Sequence, residues 1–170
     1  VAVRLYERRV EEARSLWERA RPRVLSSLLV RTQFTRVQSL GMEALTAAAR
    51  IEAGGIGPLS RARLGLWARA AIDRSRAEDR RWTRAYASVL EACLRGAYGE
   101  RSRASAMLED TAEALDGAEL GLYAMLVRHQ LGQRDARHRA IARAWAEGEG
   151  VVDADRLARA ITPGLRCLAR

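Results

Sequence analysis

Lysine and asparagine are both missing from this chain, so all 30 of its Lys-or-Arg positions are arginine. That absence removes whole classes of chemistry. A P-loop holds its β/γ-phosphates with a lysine. A protein-kinase core needs a strand lysine for the nucleotide and a catalytic-loop asparagine for magnesium. Schiff-base catalysis needs a lysine amine. None of these can be built here. Proline is scarce (Pro22, Pro58 and Pro163), and period-two runs of Val, Ile and Thr are missing, so almost no sheet is expected. Arginine recurs too often to leave the ~20 uninterrupted apolar residues of a membrane span. No signal-peptide pattern opens the chain, and because Val1 is not methionine the chain reads as a piece of a longer protein. Two cysteines, Cys93 and Cys167, lie far apart with no CxxC context, which points to a reduced, cytoplasmic setting.

What the chain does contain is helix formers. Ala, Leu, Arg and Glu dominate, and 48% hydrophobic with 30% charged residues is the balance of a globular protein. The net charge of +9 invites a nucleic-acid reading, since clustered cations release counterions from phosphates. Against it, exclusive use of Arg is what a GC-rich genome produces without selection. Many of the arginines also stand one helical turn from an acid, as Arg14 does from Glu18.

The strongest pattern is an echo. Trp82, Tyr86, Leu90 and Leu94 follow one helical stripe, and Glu119, Tyr123, Val127 and Leu131 repeat the spacing later in the chain. Each run is followed by a Gly-bearing break and a second amphipathic stretch. Repeated hairpins of ~34–40 residues mark tetratricopeptide-like arrays. Periodicity predicts a helix over about 3–20 and a long one over about 23–53, with Gly41 as a bend. The loop Gly54-Gly55-Ile56-Gly57-Pro58 then leads into a helix over about 59–76, whose stripe is Leu59, Ala62, Leu66, Ala70 and Asp73. Two hairpins (80–97 with 102–116, 119–131 with 135–147) and a short final helix over 153–161 complete the series. Ser102, Asp135 and Asp153 are the expected N-caps. The fold expected is all-α: a tetratricopeptide-like α-solenoid with a long N-terminal helix and a short C-terminal capping helix. It forms one domain over 1–170, divided into an N-terminal pair (1–53), central hairpins (54–116), a last repeat (117–150) and a cap and tail (151–170).

No catalytic constellation emerges. No Ser sits in a GxSxG elbow. His129 and His138 do not share a helix face, and nothing completes a metal set around them. Glu109, Asp110, Glu113 and Asp116 read as a solvated face opposite Leu108 and Leu115. Most aromatics fall on apolar stripes and read as core. Neither cofactor nor metal is expected. The candidate partner groove is formed by off-stripe polar residues of the first helix in each hairpin: Arg84, Glu91, Arg95 and Arg128. Such a groove suits an acidic protein or peptide partner held bidentately by guanidinium groups.

The run from Trp17 to Arg36, continuing through Leu45-Thr46-Ala47-Ala48-Ala49, resembles the long helix in the C-terminal regions of certain bacterial serine/threonine protein kinases. The same regions are resembled by Gly121-Leu122-Tyr123-Ala124, Arg128-His129-Gln130-Leu131-Gly132 and Ala144-Trp145-Ala146. They are resembled again by Gly150-Val151-Val152, Arg156-Leu157-Ala158 and Thr162-Pro163-Gly164. The resemblance implies final tetratricopeptide-like repeats and a capping helix, working as a protein-interaction or sensor module of a modular signalling protein. Its kinase domain would lie upstream, or, as an alternative, a nucleotide-dependent switch ATPase would. A second alternative, resting on charge alone, is Arg-mediated nucleic-acid binding. No catalytic residue carries over.

Overall fold

The computed structural model describes residues 1–165, and they form helices joined by short connections. These are α1 (Ala2–Tyr6), α2 (Val10–Ser26), α3 (Gln33–Ala53), α4 (Pro58–Ala77), α5 (Arg81–Ala97), α6 (Arg101–Asp116), α7 (Gly121–Leu131), α8 (Ala136–Gly148) and α9 (Ala154–Ile161). A 3-10 turn spans Leu28–Arg31, and no strand occurs among the described residues. From α3 to α8, consecutive helices joined by tight loops pack on each other, giving the hairpins α3/α4, α5/α6 and α7/α8. Helix α5 also packs on α3 and α4, and α7 packs on α6 and α9.

The N-terminal third departs from the expected pair of long helices. Arg8 adopts a left-handed backbone (φ 62°) that separates α1 from α2. Pro22 lies inside α2, which continues to Ser26. The predicted helix over 23–53 is interrupted where Ser27 and Thr32 turn extended. The Ser27 hydroxyl donates to the Val24 carbonyl at 2.7 Å, and the Thr32 side chain accepts from the Thr35 amide as the N-cap of α3. Short hydroxyl side chains compete with the backbone in this way and end helices without Gly or Pro. Gly41 does not break α3; it lies on the face that meets Tyr86.

Two capping expectations match: Asp135 accepts from the Arg137 amide and Asp153 from the Arg156 amide, both at 2.7 Å. Ser102 lies within α6, whose N-cap position is Glu100.

The main core runs between α3, α4, α5, α6 and α7, with Ile51, Ile72, Tyr86, Leu90, Leu108, Leu115 and Val127 essentially inaccessible. Tyr86 meets Tyr123 edge-on with ring centroids 5.0 Å apart, so the two echoed tyrosines bridge successive hairpins. A smaller cluster of Leu5, Ala13, Ala49 and Ala160 joins α1 to α9. Arg156 reinforces it by donating to the Tyr6 carbonyl at 2.9 Å, with its guanidinium 4.4 Å from the Tyr6 ring centre. Residues 162–165 lie over the C-terminal halves of α3, α5 and α7. The Gly164 amide donates to Glu52, the Gln130 amide donates to Thr162 Oγ1, and Leu165 is fully buried.

Candidate functional site

An open apolar groove lies along α3 between α2 and α4. Its first part has a volume of about 500 Å³, with Trp17 and Pro22 on one wall, Leu64, Trp67 and Ala70 on the other, and Thr46 and Ala47 at its floor. A second part of about 420 Å³ continues toward Leu25, Val30, Leu40 and Ala77. Glu43 and Arg74 border both parts. The floor residues Arg36, Leu40, Glu43 and Ala47 recur at helical spacing, so the groove follows one face of α3.

Helix α4 lends Leu64, Trp67, Ala70 and Arg74 to this groove, and it is rotated from the orientation expected. The stripe Leu59, Ala62, Leu66, Ala70 and Asp73, expected to be buried, faces outward, and Leu66 is 67% exposed. The buried face is Leu64, Gly65, Ala68, Ala71, Ile72 and Ser75. Small residues let α3 and α5 approach α4 closely, and Gly65 accommodates the Tyr98 hydroxyl, which donates to the Arg61 carbonyl at 2.9 Å. Close packing on the small face outweighs the larger apolar side chains opposite, which remain in water. Trp67 is half exposed, with the Arg63 guanidinium 4.7 Å from its ring centre.

Charged groups edge the groove. Glu43 is shared by two guanidiniums, hydrogen-bonding Arg21 and, at 3.2 Å, Arg74. Arg14 pairs with Glu18 at 2.8 Å. At the far end Arg36 grips Glu78 through Nε and Nη2, the Nη2 contact measuring 2.7 Å. Those hydrogen bonds hold the Glu78 carboxyl below the usual glutamate range.

The four polar residues expected to form a groove separate into three places. Glu91 and Arg95 come together between α4, α5 and the start of α6, where a polar cleft of about 410 Å³ is edged by Arg69, Arg76, Tyr98 and Arg103. Arg95 donates to Glu91 at 2.7 Å and to Glu100 at 2.9 Å, while Arg76 donates to Glu91 at 2.8 Å. Burial alone would raise the Glu91 pKa; the Arg76 and Arg95 hydrogen bonds reverse this and hold it below the usual range. Arg84 lies apart, beside Asp79 at 3.1 Å. Arg128 is buried and forks onto Asp116, with one contact at 3.0 Å. Arg95 and Arg128 have therefore spent their forked donors on carboxylates of this chain, and an acidic ligand would have to displace those partners.

Among the described residues no cluster of His, Cys, Asp or Glu is arranged to hold a metal ion, and no helix is long and apolar enough to cross a membrane. His129 contacts Asp155 at 2.7 Å, tying α7 to α9. Cys93 is a free thiol within the core. Comparison of the chain with protein-family models, curated proteins and solved structures finds no match.

Proposed function

We propose that this chain is a non-catalytic, tetratricopeptide-like protein-interaction module that docks a segment of another protein in the groove between α2, α3 and α4. The observation that carries the reading is the half-exposed ring of Trp67 on α4, which lines an open apolar groove walled on the other side by Trp17 and Pro22. Exposed aromatic anchors next to a concave apolar surface are the features that concentrate binding energy at protein interfaces. The helical hairpins and the Tyr86–Tyr123 echo support the repeat-array reading. The sequence resemblance to kinase C-terminal regions supports a place within a larger cytoplasmic signalling protein, downstream of a serine/threonine kinase domain.

The test is selection of random displayed peptides on the full 170-residue chain, followed by affinity measurement of enriched peptides against the parent and Trp67→Ser. The expected result is saturable binding that weakens at least tenfold in Trp67→Ser, with an unchanged melting temperature. If no peptide binds saturably, or binding ignores Trp67→Ser, the docking reading is wrong. Tight binding to duplex DNA that ignores sequence and falls steeply with salt would instead favour the charge-driven nucleic-acid reading.

A further inference from the structure

Resting on that docking reading, we infer that the groove's occupant is an acidic amphipathic α-helix of a partner protein. It lays its apolar face between Trp17 and Trp67 and sets carboxylates against Arg21 and Arg74.

Shape and backbone chemistry select a helix. The walls and floor are α-helices and one 3-10 turn, so the groove offers no strand edge. An extended segment laid there would leave its backbone donors and acceptors without partners, whereas a helix satisfies its own. The floor follows α3 from Arg36 to Ala47, about 16 Å at ~1.5 Å per residue, which matches about three turns of a partner helix. The positions Leu40, Glu43 and Ala47 present the ridge-and-groove spacing onto which a further helix packs.

Charge selects an acidic one. Arg14, Arg21, Arg36 and Arg74 edge the groove against Glu18, Glu43 and Glu78, so cations are in excess. The excess is centred where Arg21 and Arg74 share the single carboxylate of Glu43. Arg63 adds a further cation at the rim, above Trp67. A carboxylate from the partner arriving between Arg21 and Arg74 gives the second guanidinium its own counter-charge, with the neighbouring apolar walls excluding water from the pair. A basic helix would meet the same excess as repulsion.

The experiment uses the full chain and three 18-residue synthetic peptides: a Leu/Glu amphipathic helix, its Leu/Lys counterpart, and a Ser/Glu peptide of equal charge without an apolar face. Binding is read from tryptophan fluorescence and from the helical circular dichroism gained on mixing. The Leu/Glu peptide is expected to bind saturably, gain helix, and bind at least tenfold more tightly than either of the others. Trp67→Ser and Ala70→Glu, both at exposed positions, should each weaken it at least tenfold, and Arg21→Gln with Arg74→Gln should remove the preference over Leu/Lys. Two groove variants keep the test valid if one of them misfolds.

Equal or tighter binding of Leu/Lys overturns the acidic occupant, and the docking reading survives if displayed peptides still depend on Trp67. Equal binding of Ser/Glu overturns the amphipathic helix. Concentration-dependent dimerisation of the free chain that Trp67→Ser abolishes, seen by light scattering, overturns the partner helix in favour of a second copy. Trp67-dependent sedimentation with phosphatidylserine vesicles overturns it in favour of a lipid surface. Failure of every peptide, displayed or synthetic, to bind in a Trp67-dependent way overturns the docking reading itself.

Discussion

The ring of Tyr86 on α5 fills the space above Gly41 on α3: a Cβ at Gly41 would lie 2.8 Å from Tyr86 Cζ and would overlap the hydroxyl. Tyr86 is 1% exposed and backed by Tyr123, so it has nowhere to withdraw. Alanine is favoured over glycine inside a helix by ~1 kcal/mol, but forcing atoms into a packed core costs ~1–3 kcal/mol. Gly41→Ala is therefore expected to destabilise by up to about 2 kcal/mol in urea titration, because the clash outweighs the propensity. Among the described residues nothing meets the Tyr86 hydroxyl in hydrogen-bond geometry, so Tyr86→Phe should be close to neutral. Gly41→Ala placed in the Tyr86→Phe background should cost less than it does alone, and strict additivity would show that the two do not meet as described.

Neighbouring leucines on α4 separate the two possible faces of that helix. Leu64 is 6% exposed and Leu66 is 67% exposed. Leu64→Ala should lose ~2–4 kcal/mol through lost burial and the cavity left behind. Leu66→Ser should stay within ~0.5 kcal/mol, as surface substitutions do. Denaturation midpoints of the two variants measure this directly, and the reverse order would mean that α4 buries its leucine–tryptophan face.

That rotation marks where the sequence stopped being legible. Boundaries at Gly54, Pro58, Asp135 and Asp153 could be read because those residues are punctuation with a fixed backbone meaning, whereas the helix expected from 119 starts at Gly121, after Glu119 turns left-handed (φ 59°). The break at Arg8 could not, since arginine in a left-handed conformation leaves no compositional trace. Nor could the interruption over 27–32, which hydroxyl caps produce inside an unbroken apolar pattern. On α4 both faces carry large and small apolar residues (Leu64, Ala68 and Ile72 on one, Leu59, Leu66 and Ala70 on the other), so periodicity identified the helix without choosing its buried side. The choice depends on Tyr98 reaching Gly65, a contact 33 residues away in the sequence (65 to 98). Glu91 and Arg95 were legible as neighbours through their i,i+4 spacing. That they would be braced by Arg76 and Glu100 was not, because those come from α4 and the α5–α6 connection.

The Arg76–Glu91–Arg95 brace should appear in the acid stability of the fold. The folded-state pKa of Glu91 is lowered relative to the unfolded chain, so its contribution is present above the unfolded value, about 4.3. That contribution is lost as pH falls through the lower folded value. Glu78 and Asp116, each lowered by a hydrogen-bonded arginine, act in the same direction. Melting temperatures measured from pH 7 down to 3 should fall below about pH 4.5, and less steeply for Glu91→Gln, which should already have lost ~0.5–1.5 kcal/mol at neutral pH. Parallel acid limbs for the two proteins would show that Glu91 is not held by its arginines.

Arg128 belongs to the fold before it belongs to any interface. Its guanidinium is buried between α6 and α7 and forks onto Asp116, which itself remains partly in water. Arg128→Gln removes that charge-assisted pair and should cost ~1–3 kcal/mol. Asp116→Asn should cost a similar amount by leaving the arginine without its counter-charge. Thermal unfolding of both variants decides the matter, and a change confined to ligand binding with an unmoved melting temperature would contradict it.

Cys93 reports how the core opens. Its side chain is fully buried, and burial pushes the thiol pKa far up, so neither access nor thiolate is available in the folded state. In a Cys167→Ser variant, leaving one thiol, a disulfide reagent at pH 8 should label the native protein at least a hundredfold more slowly than the urea-unfolded chain. Because the Cys93 carbonyl and Gly96 lie against Gly164, substitution of Gly164 should expose the thiol selectively. Gly164 has φ +89°, and a Cβ there would lie 2.9 Å from the Ala97 amide nitrogen, so Gly164→Ala both strains its own backbone and lifts the segment off α5. Native-state labelling of Cys93 should then accelerate tenfold or more, while Leu66→Ser, remote from that contact, leaves the rate unchanged. Equal rates in the parent and Gly164→Ala would mean that residues 162–165 do not shield the core.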